Sequence, residues 1–306
     1  MSDTVSSAPQ GEGRGILLAG LAYAIWGVVP AYWRLLSEVP PFELTVHRVL
    51  WCAVFVAGVT LWRGRLASIL TIFRTRAVFR LLFLTSILIT ANWTLYIYCV
   101  ATDQLVEASL GYYITPLISI ALGVIFLGER LSRMRLVGLV LAALAVVIKA
   151  IGLGHIPWIA PTLAFSFGFY GYFRKRIPVD SLDGLAVETW IMFPFTLGMV
   201  SFWAHAGTGA FPSPHLGEDA LLIFAGPLTA VPLAMFAAGA RRVRMSTLGF
   251  LQYIAPSITL LLAVFGFGEA FNSVDVVTFA CVWSALAIVA AEGRIGRFWP
   301  RGPARK

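Results

Sequence analysis

Arg48 is the residue whose chemistry most needs an account, because it stands beside His47 inside residues 42–62, a run that is otherwise largely apolar. An arginine in hydrocarbon costs about 2.5–3.5 kcal/mol on insertion scales. Its side chain is therefore expected to face protein or a wet cavity, where it would hold an anionic or strongly polar group. Two quieter roles compete: snorkelling to the nearer interface, and pairing with a carboxylate such as Glu107. His47, which titrates near neutral pH when unperturbed, and Glu188, an acid in the apolar run 184–204, are the candidates for carrying a coupled proton. Polar groups recur at helical spacing elsewhere. Asn92 and Tyr96 share one stripe, Tyr112 lies one turn before Pro116, and Gln252, followed by Tyr253, lies one turn before Pro256. Arg48, His47, Asn92, Tyr96, Tyr112, Gln252 and Tyr253 are thus the candidate lining of a substrate cavity. An interhelical hydrogen bond is the commoner role for such an Asn. Aromatic residues such as Trp26, Trp33, Trp93 and Tyr172 either face a planar or cationic solute or form interfacial belts.

The segments that must position these groups repeat. Residues 110–130, LGYYITPLISIALGVIFLGER, are echoed by residues 247–270, TLGFLQYIAPSITLLLAVFGFGEA, at an offset of 140 residues. In each copy a proline interrupts an apolar run and a Gly-Glu pair closes it: Pro116 and Glu129, then Pro256 and Glu269. The same offset carries residues 31–34, Ala-Tyr-Trp-Arg, onto 171–174, Gly-Tyr-Phe-Arg. A proline inside a span removes a backbone hydrogen bond, so Pro116 and Pro256 are expected to act as paired hinges, or else as static kinks. Glu129 and Glu269 stand at helix C-termini, where the macrodipole disfavours a carboxylate. They are read as gate contacts or as packed turns, with Ser132 and Asn272 capping the helices that follow.

Composition sets the medium. A 306-residue chain that is 59% apolar and 12% charged belongs in a bilayer. Runs near the roughly 20 residues needed to span it occur at 15–36, 42–62, 79–101, 106–127 and 134–151, and again at 156–173, 184–204, 219–240, 246–267 and 274–292. The reading is an all-α membrane protein of ten transmembrane helices in two inverted five-helix repeats, 15–151 and 156–292, with a polar tail at 1–14 and a basic tail at 293–306. The tail at 1–13 is too uncharged for a cleavable signal, so the first helix is expected to be retained. With both termini cytoplasmic, twenty of the twenty-three Lys and Arg fall in cytoplasmic segments, leaving Arg34, Arg48 and Lys149. That is the positive-inside bias. Five spans per repeat then force the second repeat to enter from the opposite side, a design tied to alternating access. The net charge of +8 lies in short clusters between apolar runs, which argues against a nucleic-acid partner.

Several motifs are similar to a known family. The EASLGYYITPL start of the fourth span (107–117) and its LGERL close (127–131) resemble the EamA repeats of the drug/metabolite transporter superfamily. His47-Arg48, NWTLY at 92–96, Ser166-Phe167-Gly168 through Arg174-Lys175, Glu188-Thr189 and LQYI at 251–254 resemble its RarD branch. The resemblance implies a multi-pass, ten-helix carrier of small organic molecules in the inner membrane, often an exporter. One departure is that the second repeat closes on Gly268-Glu269-Ala270, without the arginine of Gly128-Glu129-Arg130.

No phosphate-cradling G-x-x-x-x-G-K-[ST] loop is present, so energy would come from a gradient, as in a secondary transporter, or not be used at all, as in a facilitator. Cys52, Cys99 and Cys281 lack metal-ligand spacing, and neither cofactor nor metal is expected. The partners foreseen are a small-molecule solute, the lipid bilayer, coupled protons and a second copy of the chain; Gly138 with Ala142 and Ala287 with Ala291 suit close helix packing, either within the subunit or between subunits. An intramembrane enzyme using His47 and Glu188 is the rival reading, but it sets those groups at different depths; no catalytic residue is assigned. A membrane scaffold or receptor is the other rival, and it leaves the repeat unexplained.

Overall fold

A computed structural model of the chain describes residues 11–101, 105–151, 158–268 and 273–298, and among these the secondary structure is entirely helical. The order is α1 (Glu12–Arg34), α2 (Pro41–Trp62), α3 (Leu66–Arg74), α4 (Arg76–Ala101), α5 (Leu105–Leu127), α6 (Arg133–Ile151), α7 (Ile159–Arg176) and α8 (Ser181–Ala206). It continues with α9 (Leu216–Ala240), α10 (Met245–Gln252), α11 (Ile254–Leu261), a π-helical turn (Leu262–Gly266) and α12 (Ser273–Phe298). Eight of the described helical segments are long and apolar enough to cross a membrane, where ten spans are expected from sequence. The two others are present as helices. α7 ends on Arg174, Lys175 and Arg176, and the described apolar part of α12 is confined to Val276–Glu292.

Local sequence explains several boundaries. Gly128 (φ 64°) and Gly268 (φ 69°), the glycines of the two Gly-Glu pairs, both stop their helices in the left-handed region that a Cβ disfavours. Ser132 Oγ accepts from the Arg135 N–H at 3.1 Å at the start of α6, and Asp180 accepts from the Leu182 N–H at 3.1 Å at the start of α8. Glu269 and Asn272 lie outside the described residues. The two prolines act unequally. α5 runs through Pro116 as one helix, whereas the expected span 246–267 is divided at Tyr253. Pro256 cannot donate to the Gln252 carbonyl, so the chain breaks one turn ahead of it.

α3 is an element absent from the sequence reading. It is a short amphipathic helix between α2 and α4, with Ile69 and Ile72 buried and Leu66, Leu70 and Phe73 exposed. It stands among Arg63, Arg65, Arg74 and Arg76, as expected of a helix lying in an interface.

The tertiary pairings cross between the first and last parts of the chain. α1 packs on α9, α10 and α11; α2 on α8 and α9; α4 on α7 and α8; α5 on α7 and α10; and α6 on α12. Glycines set the closest approaches. A Cβ on Gly27 of α1 would lie 2.7 Å from Ile258, and one on Gly168 of α7 would lie 2.7 Å from Ile118. Ile118 and Ile258 are one repeat offset apart. On α6, Gly138 packs against Val289 and the Ala285 carbonyl, so its small-residue face is used within the chain.

Gly226 makes the tightest of the approaches to backbone, because its Cβ would lie 2.3 Å from the backbone carbon of Trp51, which has no flexible end to move. Gly226→Val is expected to destabilise the protein by at least about 2 kcal/mol through overpacking of α2 on α9. Gly58→Ala, where nothing lies within 4 Å, should leave the melting temperature in detergent unchanged or raised. Equal melting of the two variants would contradict this packing.

Candidate functional site

Arg48 enters the bundle from α2 and, among the described residues, meets rings rather than acids; the side chain of Glu107, the carboxylate expected as a partner, lies outside the described side chains. Its guanidinium carbon lies 4.7 Å from the Trp33 ring centroid and 5.1 Å from that of Trp93, and Nε donates a long bond of 3.4 Å to Thr229 Oγ1. Thr229 is held in turn by donating to the Ala225 carbonyl at 2.7 Å. The phenols of Tyr96 and Tyr112 lie within electrostatic range of the guanidinium, and their rings are 6.0 Å apart. Tyr112 keeps 45% of its surface open beside these groups. Arg48, Tyr96 and Tyr112 therefore converge, joined by Trp33 and Trp93, two of the aromatic residues singled out from sequence, and by Thr229, which sequence alone did not select. Five helices, α1, α2, α4, α5 and α9, supply this cluster of side chains.

The other candidates go elsewhere. Asn92 is buried and donates to the Leu163 carbonyl and to Ser166 Oγ, both at 2.9 Å, tying α4 to α7. Gln252 is buried and accepts from Ser119 Oγ at 3.2 Å, and Tyr253, wholly buried, donates to the Tyr113 carbonyl at 3.2 Å. Both therefore lie in the packing of α10 on α5, not on an open wall. His47 is also wholly buried. Successive residues on a helix diverge by about 100°, and His47 turns from Arg48 toward Phe211, with Nε2 3.7 Å from Glu43. Glu43 in turn accepts from the Ala210 N–H at 2.6 Å.

Glu188 belongs to a separate buried network. Its Oε1 accepts from Thr85 Oγ1 at 2.5 Å and lies 3.6 Å from Arg174 Nε, while Ser86 Oγ donates to its backbone carbonyl at 3.0 Å. Arg174 also donates to the Ser181 carbonyl at 2.9 Å, and Gly184 makes room for the guanidinium: a Cβ there would lie 2.1 Å from Nη1. The cavity beside Glu188, about 20 Å³, is bounded by Trp93, Tyr170, Thr189 and Leu233. A larger recess, about 640 Å³, lies away from Arg48, between Tyr98, Trp158, Thr162 and Met192. It is an apolar groove lined by α4, α7 and α8.

Polar ties close the arginine-rich end of the bundle. Glu129, just past α5, accepts from the Met245 N–H (2.6 Å), the Ser246 N–H (2.9 Å) and Ser246 Oγ (2.7 Å). It thereby leaves the negative end of its own helix and neutralises the positive start of α10. Arg135 joins Ser246 to Glu292 at 3.0 and 3.1 Å. Lys175 donates to the Ala240 and Val243 carbonyls, covering the end of α9. Arg65 bonds Asp183 at 2.5 Å, and that bond with its opposite charge pushes the Arg65 pKa upward.

Comparison with known proteins gives this arrangement its context. The EamA-like transporter family model matches residues 13–150. RarD of Escherichia coli (strain K12) is 42% identical over 279 residues, covering 91% of this chain and 94% of that protein. The uncharacterized transporter YojE of Bacillus subtilis (strain 168) is 41% identical over 279 residues, covering 90% and 93%. The chain belongs to the EamA-like transporter family. Within that family it falls in the RarD branch, and it is a multi-pass membrane protein. A crystal structure of a protein 19% identical superposes with a TM-score of 0.67 over 92% of this chain and 99% of that one, so the fold is shared.

In this EamA-family chain the buried Arg174–Glu188 pair makes a stability prediction. Arg174→Ala leaves an uncompensated carboxylate in the interior and should cost about 3–5 kcal/mol. Adding Glu188→Gln to Arg174→Ala removes that charge and should restore part of the loss, read as melting temperature in detergent. No recovery in the double variant would mean that the two side chains are not coupled.

Proposed function

We propose that this chain is a secondary transporter that moves small organic solutes across the inner membrane by alternating access, in the export direction, with both termini cytoplasmic. The architecture invoked is ten spans in two inverted halves, 15–151 and 156–292, each ending on a basic or polar tail segment. One observation carries the reading. Exchanging α1 with α7, α2 with α8, α4 with α9, α5 with α10 and α11, and α6 with α12 maps the principal helix pairings onto themselves. Thus α1 on α9 becomes α7 on α4, and α5 on α7 becomes α10 and α11 on α1. The matched approaches of Gly27 to Ile258 and Gly168 to Ile118 support the same exchange. An odd number of spans per half and the arginine bias supply the inversion.

In this reading the cluster at Arg48 is the solute site, and the ties at the arginine-rich end are the cytoplasmic closure. Glu129 and α10 come from opposite halves, so inward opening must part them. Pro256, where the span is already broken, supplies the larger hinge, and Pro116 supplies the smaller one. The closure is built from hydrogen bonds to helix ends, which water can replace as the halves separate.

Flux of a metabolite panel into everted vesicles tests the function, with the chain against an empty membrane as the comparison. A second test addresses the closure. In a background lacking Cys52, Cys99 and Cys281, a short bifunctional thiol reagent joining Glu129→Cys to Ser246→Cys is expected to reduce flux at least tenfold, while either single variant retains it after the same treatment. Full flux through the cross-linked chain would contradict opening at this end.

A further inference from the structure

The sequence repeat superposes Arg48 on Glu188 and Arg34 on Arg174, each at an offset of 140 residues. In the second half these positions form the ion pair Arg174–Glu188, with Nε and Oε1 3.6 Å apart. In the first half both are arginines, so the equivalent pair cannot form. Arg34 places its guanidinium 3.6 Å from the Phe267 ring centroid. Arg48 has no carboxylate within ion-pair distance among the described residues, whereas Arg65, Arg135 and Arg174 each have one.

What surrounds Arg48 fixes its position without neutralising it. Trp33 and Trp93 offer ring faces, which attract a guanidinium but carry no net charge. Thr229 takes the Nε proton. The terminal nitrogens make no hydrogen bond to a described residue and are not sealed from solvent. They keep the planar fork that matches a carboxylate in a bidentate pair. Tyr96 and Tyr112 place two phenols within range of the same charge. A cation would meet repulsion here, and a small hydrated anion would leave the aromatic faces unused.

We propose that the terminal nitrogens of Arg48 bind an organic monoanion, a carboxylate on a planar apolar body, which supplies the counter-charge that the described residues do not. This deepens the transport reading and rests on it for the link to flux. The carboxylate lies across the Arg48 fork and accepts from the tyrosines. Its apolar body packs against Trp33 and Trp93. The site thus selects for charge sign by its arginine, and for shape by its rings.

The test is equilibrium binding of radiolabelled benzoate to the purified full chain in detergent. Saturable binding is expected, with the neutral isostere benzamide, the cation benzyltrimethylammonium and inorganic phosphate each competing at least about thirtyfold more weakly. Arg48→Ala should lose binding, Arg48→Lys should weaken it about tenfold, and Tyr96→Phe with Tyr112→Phe should weaken it severalfold. Thr229→Asp provides a variant that adds the missing acid. It should abolish benzoate binding without lowering the melting temperature, even where Arg48→Ala fails to fold. Benzamide binding as tightly as benzoate, unchanged binding in folded Arg48→Ala or Thr229→Asp, or phosphate equal to benzoate would each overturn the proposal. Vesicle flux separates the two claims: saturable flux that favours neutral solutes over benzoate keeps the transporter and discards the anion site, whereas absence of all flux discards the transporter.

Discussion

Charge inside a bilayer must find a counter-charge, a dipole or water, and the internal order of this protein follows from how each charged group meets that demand. Glu188 and Arg174 meet one another. Glu129 meets the positive start of α10. Lys175 meets the carbonyls at the end of α9. Arg48 meets two indole faces and a threonine hydroxyl, which hold it in place and leave its charge available. The first three solutions are closed and rigidify the arginine-rich end. The fourth is open, and it stands in the cluster read as the solute site.

This division gives the two ends of the bundle different mechanical characters. Glu129 offers one carboxylate to three donors across the boundary between α5 and α10, so it works as a cap supplied by another helix. Such a cap is worth about 0.5–2 kcal/mol in general, large enough to bias a two-state equilibrium and small enough to be released by a bound solute. The broken span at Tyr253 lies directly beyond the capped helix. In the proposed transport cycle, opening would be absorbed within these few residues without unfolding either segment.

Much of this was legible from sequence, for identifiable reasons. Apolar runs are long and charges few, so most spans announce themselves, and the 140-residue echo of Pro116-Glu129 in Pro256-Glu269 marks a repeat. The site was only partly legible. Periodicity places Tyr96, Tyr112 and Gln252 on helix faces but not on neighbours, so it could not separate the exposed ring of Tyr112 from the packed interface at Gln252. Nor could it bring Trp33 or Thr229 to Arg48, since those contacts join α1, α2 and α9 across long stretches of chain. The repeat held a clue in the alignment of Arg48 with Glu188, because opposite charges at equivalent positions mark where two related halves diverge.

The central claim is that one site serves both sides of the membrane in turn. Tyr112→Cys, on a background without the native cysteines, reports it directly when a membrane-impermeant maleimide is applied to right-side-out and to inside-out vesicles while ionic conductance is recorded. The account predicts labelling from each face in its own experiment, with the membrane remaining ion-tight throughout. Labelling confined to one face under every condition, or labelling from both faces with a steady ion leak, would contradict it.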